Sequence, residues 1–352
     1  MTRDGGGAMV ATLALAILYP LQAIGGQPFA DSHACARCHA QEYASQIYTS
    51  MGRAMEPVSE CAILIRHRAL TFHNGIYSYH ITRQGDRSLY TVTDGKQTIS
   101  VALAYAFGLG DAGQTYVFTR NGSLYESRVS FYKALDGLDL TLGAWNLNPE
   151  NLEEAAGRLM HGPEIHACFG CHTTKVGDNF NPKNRFPGVT CEHCHGSAAA
   201  HVRGFQTGKP VRMAKLSALS TEELSNFCGQ CHRTWAQIAA NGPHDVNNVR
   251  FQPYRLANSK CYDPSDRRIG CVACHNPHVE VIRSAGFYDS KCLACHARSS
   301  DKAGGKPGAR WCPVSSDHCI SCHMPRFEIP GSHYRFFDHD IRIVKSHVPY
   351  PG

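Results

Sequence analysis

The sequence predicts a mainly α and loop protein with a small antiparallel β insert near its N-terminus. Three observations carry that expectation. One cysteine–histidine pentapeptide occurs seven times, six of them crowded between residues 168 and 323. A separate stretch alternates aromatic or branched residues with polar ones. The 352 residues include 17 Cys and 21 His, against 43% hydrophobic and only 18% charged residues. This composition excludes a disordered chain, which needs few apolar residues and high net charge. It also excludes a polytopic membrane protein, because only one apolar run, near the N-terminus, is long enough to consider.

The pentapeptides are Cys35-Ala-Arg-Cys38-His39, Cys168-Phe-Gly-Cys171-His172, Cys191-Glu-His-Cys194-His195, Cys228-Gly-Gln-Cys231-His232, Cys271-Val-Ala-Cys274-His275, Cys292-Leu-Ala-Cys295-His296 and Cys319-Ile-Ser-Cys322-His323. Chance would supply about 0.05 copies in a chain of this length, so the repetition is functional. Two thiols three positions apart share one side of a helical turn, where each can form a thioether with one vinyl group of a haem. The adjacent histidine then stands beneath the iron as its proximal ligand. Zinc uses paired Cys-x-x-Cys knuckles or a distant His pair and gives no reason for a His after every second Cys. Seven motifs cannot be divided into pairs in any case. The expected cofactors are therefore seven covalently bound haem c groups. Cys61, Cys261 and Cys312 lie outside the motifs.

The segment from Val10 to Leu21 reads as the apolar part of a signal peptide, interrupted by Pro20 and followed by a small-x-small cleavage site at Ala23-Ile-Gly25. Attachment of haem to this motif takes place outside the bacterial cytoplasm, which points the same way. The expected location is the periplasm or the outer cell surface, with no transmembrane helix after cleavage. The formal charge of +6 does not imply nucleic acid. Each ferric haem with two neutral imidazoles adds about −1, so seven bring the total to about −1, and the basic residues are available to neutralise propionates.

Along the chain this gives a signal peptide at 1–25, a first haem segment and helix at 26–60, a β-rich insert at 61–150 and a six-haem region at 151–352. The β strands are read within 66–133, punctuated by Asn74-Gly75, Asp94-Gly95 and Asn121-Gly122. In the six-haem region too few residues separate the motifs for a peptide core, so the macrocycles are expected to form the apolar interior. A capped helix beginning at Ser220 leads into the fourth motif. After the first motif, Tyr43, Ile47, Met51 and Met55 recur every four residues and predict one face of a helix.

Seven proximal histidines leave fourteen others. His278 is three residues after His275 and His201 is six after His195, so neither can wrap round to the far face of its own haem. As ligands they would serve neighbouring haems. Met51 lies too far along a helix from His39 to cap the same iron, and it is either a ligand to another haem or packing against porphyrin. His73, His333 and His339 are also distal candidates. His67, His80, His161, His166, His193, His244, His318 and His347 are read instead as solvated or propionate-bonded.

With these motifs in view, the sequence resembles bacterial multihaem c-type cytochromes of the doubled Cys-x-x-Cys-His group, related to the tetrahaem cytochrome that accepts electrons from hydroxylamine oxidoreductase. The resemblance rests on the first motif with Ser50-Met51-Gly-Arg-Ala-Met55, on Phe72-His73, and on Val189-Thr-Cys-Glu-His-Cys-His-Gly196 with His201. It continues with Asn248-Val-Arg-Phe-Gln-Pro-Tyr-Arg-Leu256, Ser259-Lys-Cys261, Cys271-Val-Ala-Cys-His-Asn-Pro-His278, and the last motif followed by His333 and Phe337-Asp-His339. It implies a multihaem cytochrome c fold built round stacked haems, with His201, His278, His333 and His339 as axial ligands. The function expected is an exported seven-haem carrier moving electrons between redox proteins of the cell envelope through mostly bis-His haems. Two alternatives stay open: a reductase or oxidase of a small nitrogen or sulfur compound at a five-coordinate haem, and a subunit of an extracellular cytochrome filament. All seven motifs end in His rather than Lys, which counts against the nitrite-reductase form of the enzyme.

Overall fold

The computed structural model describes residues 29–30, 32–175, 186–296, 311–344 and 350. The expected signal peptide and His347 lie outside these residues. The stretch that alternates in sequence is the centre of a nine-stranded antiparallel sheet. Its strands are β1 (Met55–Pro57), β2 (Ala69–Asn74), β3 (Tyr77–Gln84), β4 (Arg87–Thr93), β5 (Thr98–Phe107), β6 (Gln114–Arg120), β7 (Ser123–Tyr132), β8 (Gly137–Leu140) and β9 (Gly157–Leu159). From β2 to β8 the order follows the chain, while β1 pairs with β5 and β9 with β7. β2 also approaches β8, so the sheet curls into a nearly closed barrel.

This corrects the fold expected from sequence. The molecule is not a mainly α and loop structure carrying a small β insert; a large sheet reaching from Met55 to Leu159 is a principal part of it. The extra extent came from strands with weak signals. β5 alternates through Ala102, Ala104 and Ala106, residues poor in β propensity, and β1, β8 and β9 are only three or four residues long. Their pairing with longer strands stabilises them where intrinsic preference does not.

The turns fall at the Gly-containing dipeptides. Gly75, Gly95 and Gly122 all adopt positive φ, the left-handed conformation that connects adjacent strands tightly. One face of the sheet turns Leu70, Tyr79, Ile81, Tyr90, Val92, Tyr116, Phe118, Val129 and Phe131 inward, and the short helix Leu152–Ala156 closes over them with Leu152 and Ala155. The Tyr90 hydroxyl donates to the Ala156 carbonyl at 2.9 Å, so burying that ring leaves no orphaned donor.

The helices in chain order are α1 (Ser32–Ala36), α2 (Ala40–Gln46), α3 (Ala62–Arg66), α4 (Leu152–Ala156), α5 (Gly162–His172), α6 (Cys191–His195), α7 (Ala199–Gln206), α8 (Thr221–His232), α9 (Trp235–Asn241), α10 (Gln252–Ala257), α11 (Cys271–Cys274), α12 (Ala285–His296) and α13 (Cys319–His323). α8 begins with the expected capping box: Ser220 Oγ accepts from the Glu223 amide at 3.2 Å, and the Ser220 amide donates to Glu223 Oε2 at 2.7 Å. Two small antiparallel pairs accompany them: β10 (Thr173–Lys175) with β11 (Phe186–Pro187) between the second and third motifs, and β12 (Arg326–Glu328) with β13 (Arg335–Phe337) after the seventh.

The helix expected to carry Tyr43, Ile47, Met51 and Met55 on one face ends at Gln46, and Met55 already belongs to β1. Thr49 is the cause. Its hydroxyl donates to the Gln46 carbonyl at 2.7 Å and accepts from the Gly52 amide at 2.9 Å, offering the backbone a turn in place of a further helical turn. The segment then docks on the approach to the third motif, where the Val189 amide donates to the Met51 carbonyl at 2.9 Å. Gly188 has φ of +72°, and a Cβ there would lie 1.8 Å from the Gly52 carbonyl oxygen, so this contact requires glycine.

Candidate functional site

The seven motifs occupy three kinds of position. The second, fourth and sixth form the last turn of α5, α8 and α12. The third and seventh are one-turn helices of their own, α6 and α13, and the fifth is α11 with His275 as its cap. The first spans the junction of α1 and α2, where the His39 amide donates to the Cys35 carbonyl at 2.8 Å. A helical turn or its equivalent therefore puts both thiols of each motif on one side.

The motifs touch one another in an order that differs from sequence. α1 packs on α6, and the thiols of Cys35 and Cys191 pair, which lowers the pKa of Cys191 and raises that of Cys35. Around the same contact, Ser32 Oγ donates to Thr190 Oγ1 at 3.1 Å and the Ala30 amide to Glu192 Oε1 at 2.9 Å. Cys194 lies within electrostatic reach of Cys228 and Cys231, bringing the third motif to the fourth. The fourth also meets the second through Cys231 and Cys171, and the fifth through Cys228 and Cys271. Cys274 then neighbours Cys292, and Cys292 pairs with Cys319. The order is one, three, four, five, six, seven, with the second motif attached to the fourth.

Two features test whether these residues suit a haem iron. The first is the spacing of imidazoles. His195 and His278 face each other with ring centroids 6.0 Å apart and planes within 3°, and His275 and His339 stand 6.3 Å apart at 41°. Two imidazoles sharing one metal at about 2.0 Å per bond hold their centroids roughly 6.3 Å apart. The second is the fate of the other ring nitrogen. Nδ1 of His172 lies 2.9 Å from the Ala54 carbonyl, that of His201 2.6 Å from Val211, that of His323 2.9 Å from Arg342 and that of His339 3.1 Å from Phe337. A carbonyl only accepts, so each Nδ1 carries the proton and each Nε2 presents its lone pair, the tautomer a metal ligand needs. For three of the rings burial favours the neutral form: it lowers His172 and His195 and pushes His339 down to about 4. The residues fit the group.

The remaining predicted ligands are placed differently. His201 lines a cleft of about 500 Å³ together with Phe205, Val211, Arg212, Met213 and Lys215, an apolar wall with two cations at its rim. His333 presents Nε2 to the Asp139 carboxylate at 2.8 Å, within the sheet region. His73 projects from β2, its Nδ1 2.9 Å from Ser78 Oγ and its ring 6.3 Å from that of His80. Met51 is half-buried in the turn beside the third motif. His193 was read as solvated or propionate-bonded, yet its Nδ1 donates to the Thr173 carbonyl at 3.1 Å and its Nε2 lies 4.0 Å from Cys231 Sγ, between the second and fourth motifs. Its position inside the third pentapeptide hid that placement. Of the cysteines outside the motifs, Cys61 is enclosed in the sheet core with its thiol 3.1 Å from Gln114 Oε1, and Cys261 lies near Cys274 and Cys292. Among the described residues no helix is long and apolar enough to cross a membrane.

The profile of the Cytochrome c554 and c-prime family matches residues 144–196, which hold the second and third motifs. The Multiheme cytochrome MtrA of Shewanella baltica (strain OS185) is 26% identical over 181 residues, 47% of this chain and 47% of that protein. The alignment thus spans about half the length of that curated relative. No solved structure matches. Taken with the seven pentapeptides, these similarities support a multihaem c-type cytochrome that binds haem covalently and transfers electrons.

Proposed function

We propose that the chain is an exported carrier holding seven haem c groups and passing electrons along them between redox proteins of the cell envelope. The observation that carries this reading is the unbroken contact order of the motifs. When bound, haem iron supplies one-electron chemistry by cycling between ferrous and ferric states. The fourteen motif cysteines would anchor the macrocycles, and His39, His172, His195, His232, His275, His296 and His323 would ligate from the proximal side. His278 would complete the site of His195, and His339 that of His275. His201 would enter a haem site from its cleft, with Arg212 and Lys215 placed to neutralise propionates.

A haem quantitation by pyridine haemochrome, paired with intact mass, tests the count: seven per chain is expected, and six or fewer refutes it. Electron paramagnetic resonance tests the role. Chiefly low-spin ferric signals are expected. A strong high-spin signal that changes on adding nitrite, hydroxylamine or sulfite would instead establish an enzyme.

A further inference from the structure

The segment Asp338–Arg342 follows β13 and runs back to α13. Beside it the structure holds its most deeply buried ion pair among the described residues. Arg255 of α10 is 2% exposed and Asp338 is fully enclosed. Arg255 grips Asp338 with two parallel hydrogen bonds, Nε to Oδ1 at 2.8 Å and a terminal nitrogen to Oδ2 at 3.0 Å, and reaches Asp340 at 3.2 Å. The ring of Tyr350 covers the guanidinium at 4.7 Å. Arg342 closes the far end, donating to Asp338 Oδ2 at 2.5 Å and to the Asp340 carbonyl at 2.8 Å. Ser259 fixes the middle: its hydroxyl donates to the His339 carbonyl at 2.7 Å and accepts from the Ile341 amide at 2.8 Å.

Two histidines depend on this segment. His339 lies in it, with Nδ1 donating to the Phe337 carbonyl and its ring opposite His275. His323, in the seventh motif, donates from Nδ1 to the carbonyl of Arg342, and the Arg342 amide returns a bond to the His323 carbonyl at 3.3 Å. The fifth and seventh motifs do not adjoin in the contact order, because the sixth lies between them. The strap nevertheless serves both.

The geometry points to Arg255 as a positioning residue for two haem sites at once: through Asp338 it locks one strap that both supplies the distal imidazole at the fifth motif and orients the proximal imidazole at the seventh. The inference rests on the haem reading above. A planar fork is required for this role. Arg holds both carboxylate oxygens in one plane and fixes the segment's direction, whereas Lys would bring only a point charge.

The test compares holoprotein of Arg255→Met, Arg255→Lys and His339→Ala by haemochrome content, electron paramagnetic resonance and spectroelectrochemical titration. His339→Ala is expected to turn one haem high-spin and leave the others in place. Arg255→Met is expected to keep the full haem content and alter two haems: one gains high-spin character, and a second shifts its low-spin signal and midpoint potential. Arg255→Lys falls between Arg255→Met and wild type. Arg255→Met spectra identical to wild type, or altered at the fifth-motif haem alone as in His339→Ala, overturn the proposal. If Arg255→Met does not accumulate, Arg342→Gln removes the outer half of the lock from a partly exposed side chain. It is expected to shift the seventh-motif signal, and an unchanged signal overturns the proposal. Failure of the underlying reading looks different: wild type without covalent haem, or His339→Ala without any spectral change.

Discussion

The sheet and the motif-bearing segments bury their side chains by different rules. Both clusters of buried apolar residues lie between Met55 and Phe169: in one, Tyr, Phe, Leu and Val from successive strands interlock on the inner face of the sheet, and in the other Ile165 and Phe169 of α5 pack on Met55, Tyr105 and Val117. In the motif-bearing segments the helices are four to twelve residues long, and apolar side chains such as Trp235, Val272 and Phe205 remain at least half exposed. Helices this short do not hold themselves in water. Beside scattered buried side chains such as Phe169, Val249 and Ile329, what ties them together among the described residues is polar: imidazole-to-carbonyl bonds and the lock between Arg255 and Asp338. One region has an apolar core of its own. The other is expected to depend on the macrocycles it holds.

The largest expected effect follows directly. In chain produced without haem attachment, hydrogen exchange is expected to stay slow over residues 69–132 and become fast over 191–323. Loss of protection in both regions together would abolish the distinction. Within the sheet, Phe118→Ala empties a site that is 1% exposed and should cost about 3–5 kcal/mol in urea unfolding while leaving haem content unchanged. A fall in haem content would mean that the sheet scaffolds attachment.

At the seam between the regions, Gly188→Ala forces a left-handed residue onto the Gly52 carbonyl and should cost about 1–3 kcal/mol or more. Its spectral effect is expected at the first three motifs and not at the fourth to seventh, as read by magnetic circular dichroism. The smallest effect concerns Asp289, whose carboxylate accepts from the amides of His318 and Cys319 at 2.8 Å each and caps α13 from another helix. Asp289→Ala should cost about 1 kcal/mol. These bonds hold the Asp289 carboxyl below its ordinary 3.8 despite burial that raises it. A depressed carboxylate stabilises the fold above its unfolded value, so this contribution is complete at neutral pH and disappears as pH falls below 3.8 through the folded value. A variant unfolding with the same acid midpoint as wild type would show that the cap contributes nothing.

The chemistry of attachment was legible because covalent spacing is local: two cysteines and a histidine within five residues state their purpose without a fold. The strands around Asn74-Gly75, Asp94-Gly95 and Asn121-Gly122 were legible through alternation and turn residues. The full sheet was not, because β5 is rich in Ala, β8 is only four residues long, and the short β1 and β9 owe their state to partners distant in sequence. The helix beyond Gln46 was misread because one hydroxyl, Thr49, outweighed a four-residue period. Imidazole partners were the least legible. His195 meets His278 and His275 meets His339 across long intervals, and only the packing of α6, α11 and the strap chooses between fourteen similar rings.

The contact order of the motifs has a consequence for robustness. Drawn through its cysteine contacts it is a line with one branch, and the fourth motif is the vertex at which three arms meet: the third motif with the first, the second alone, and the fifth through the seventh. Removing an end vertex shortens such a network, whereas removing this vertex parts its arms, which then touch only where His193 meets Thr173 and His195 meets His278. Tolerance to loss of a single haem is therefore expected to be unequal along the chain. It should be lowest at Cys228–His232, where three arms meet, and highest at the ends, the first, second and seventh motifs, whose absence would interrupt no path between the others.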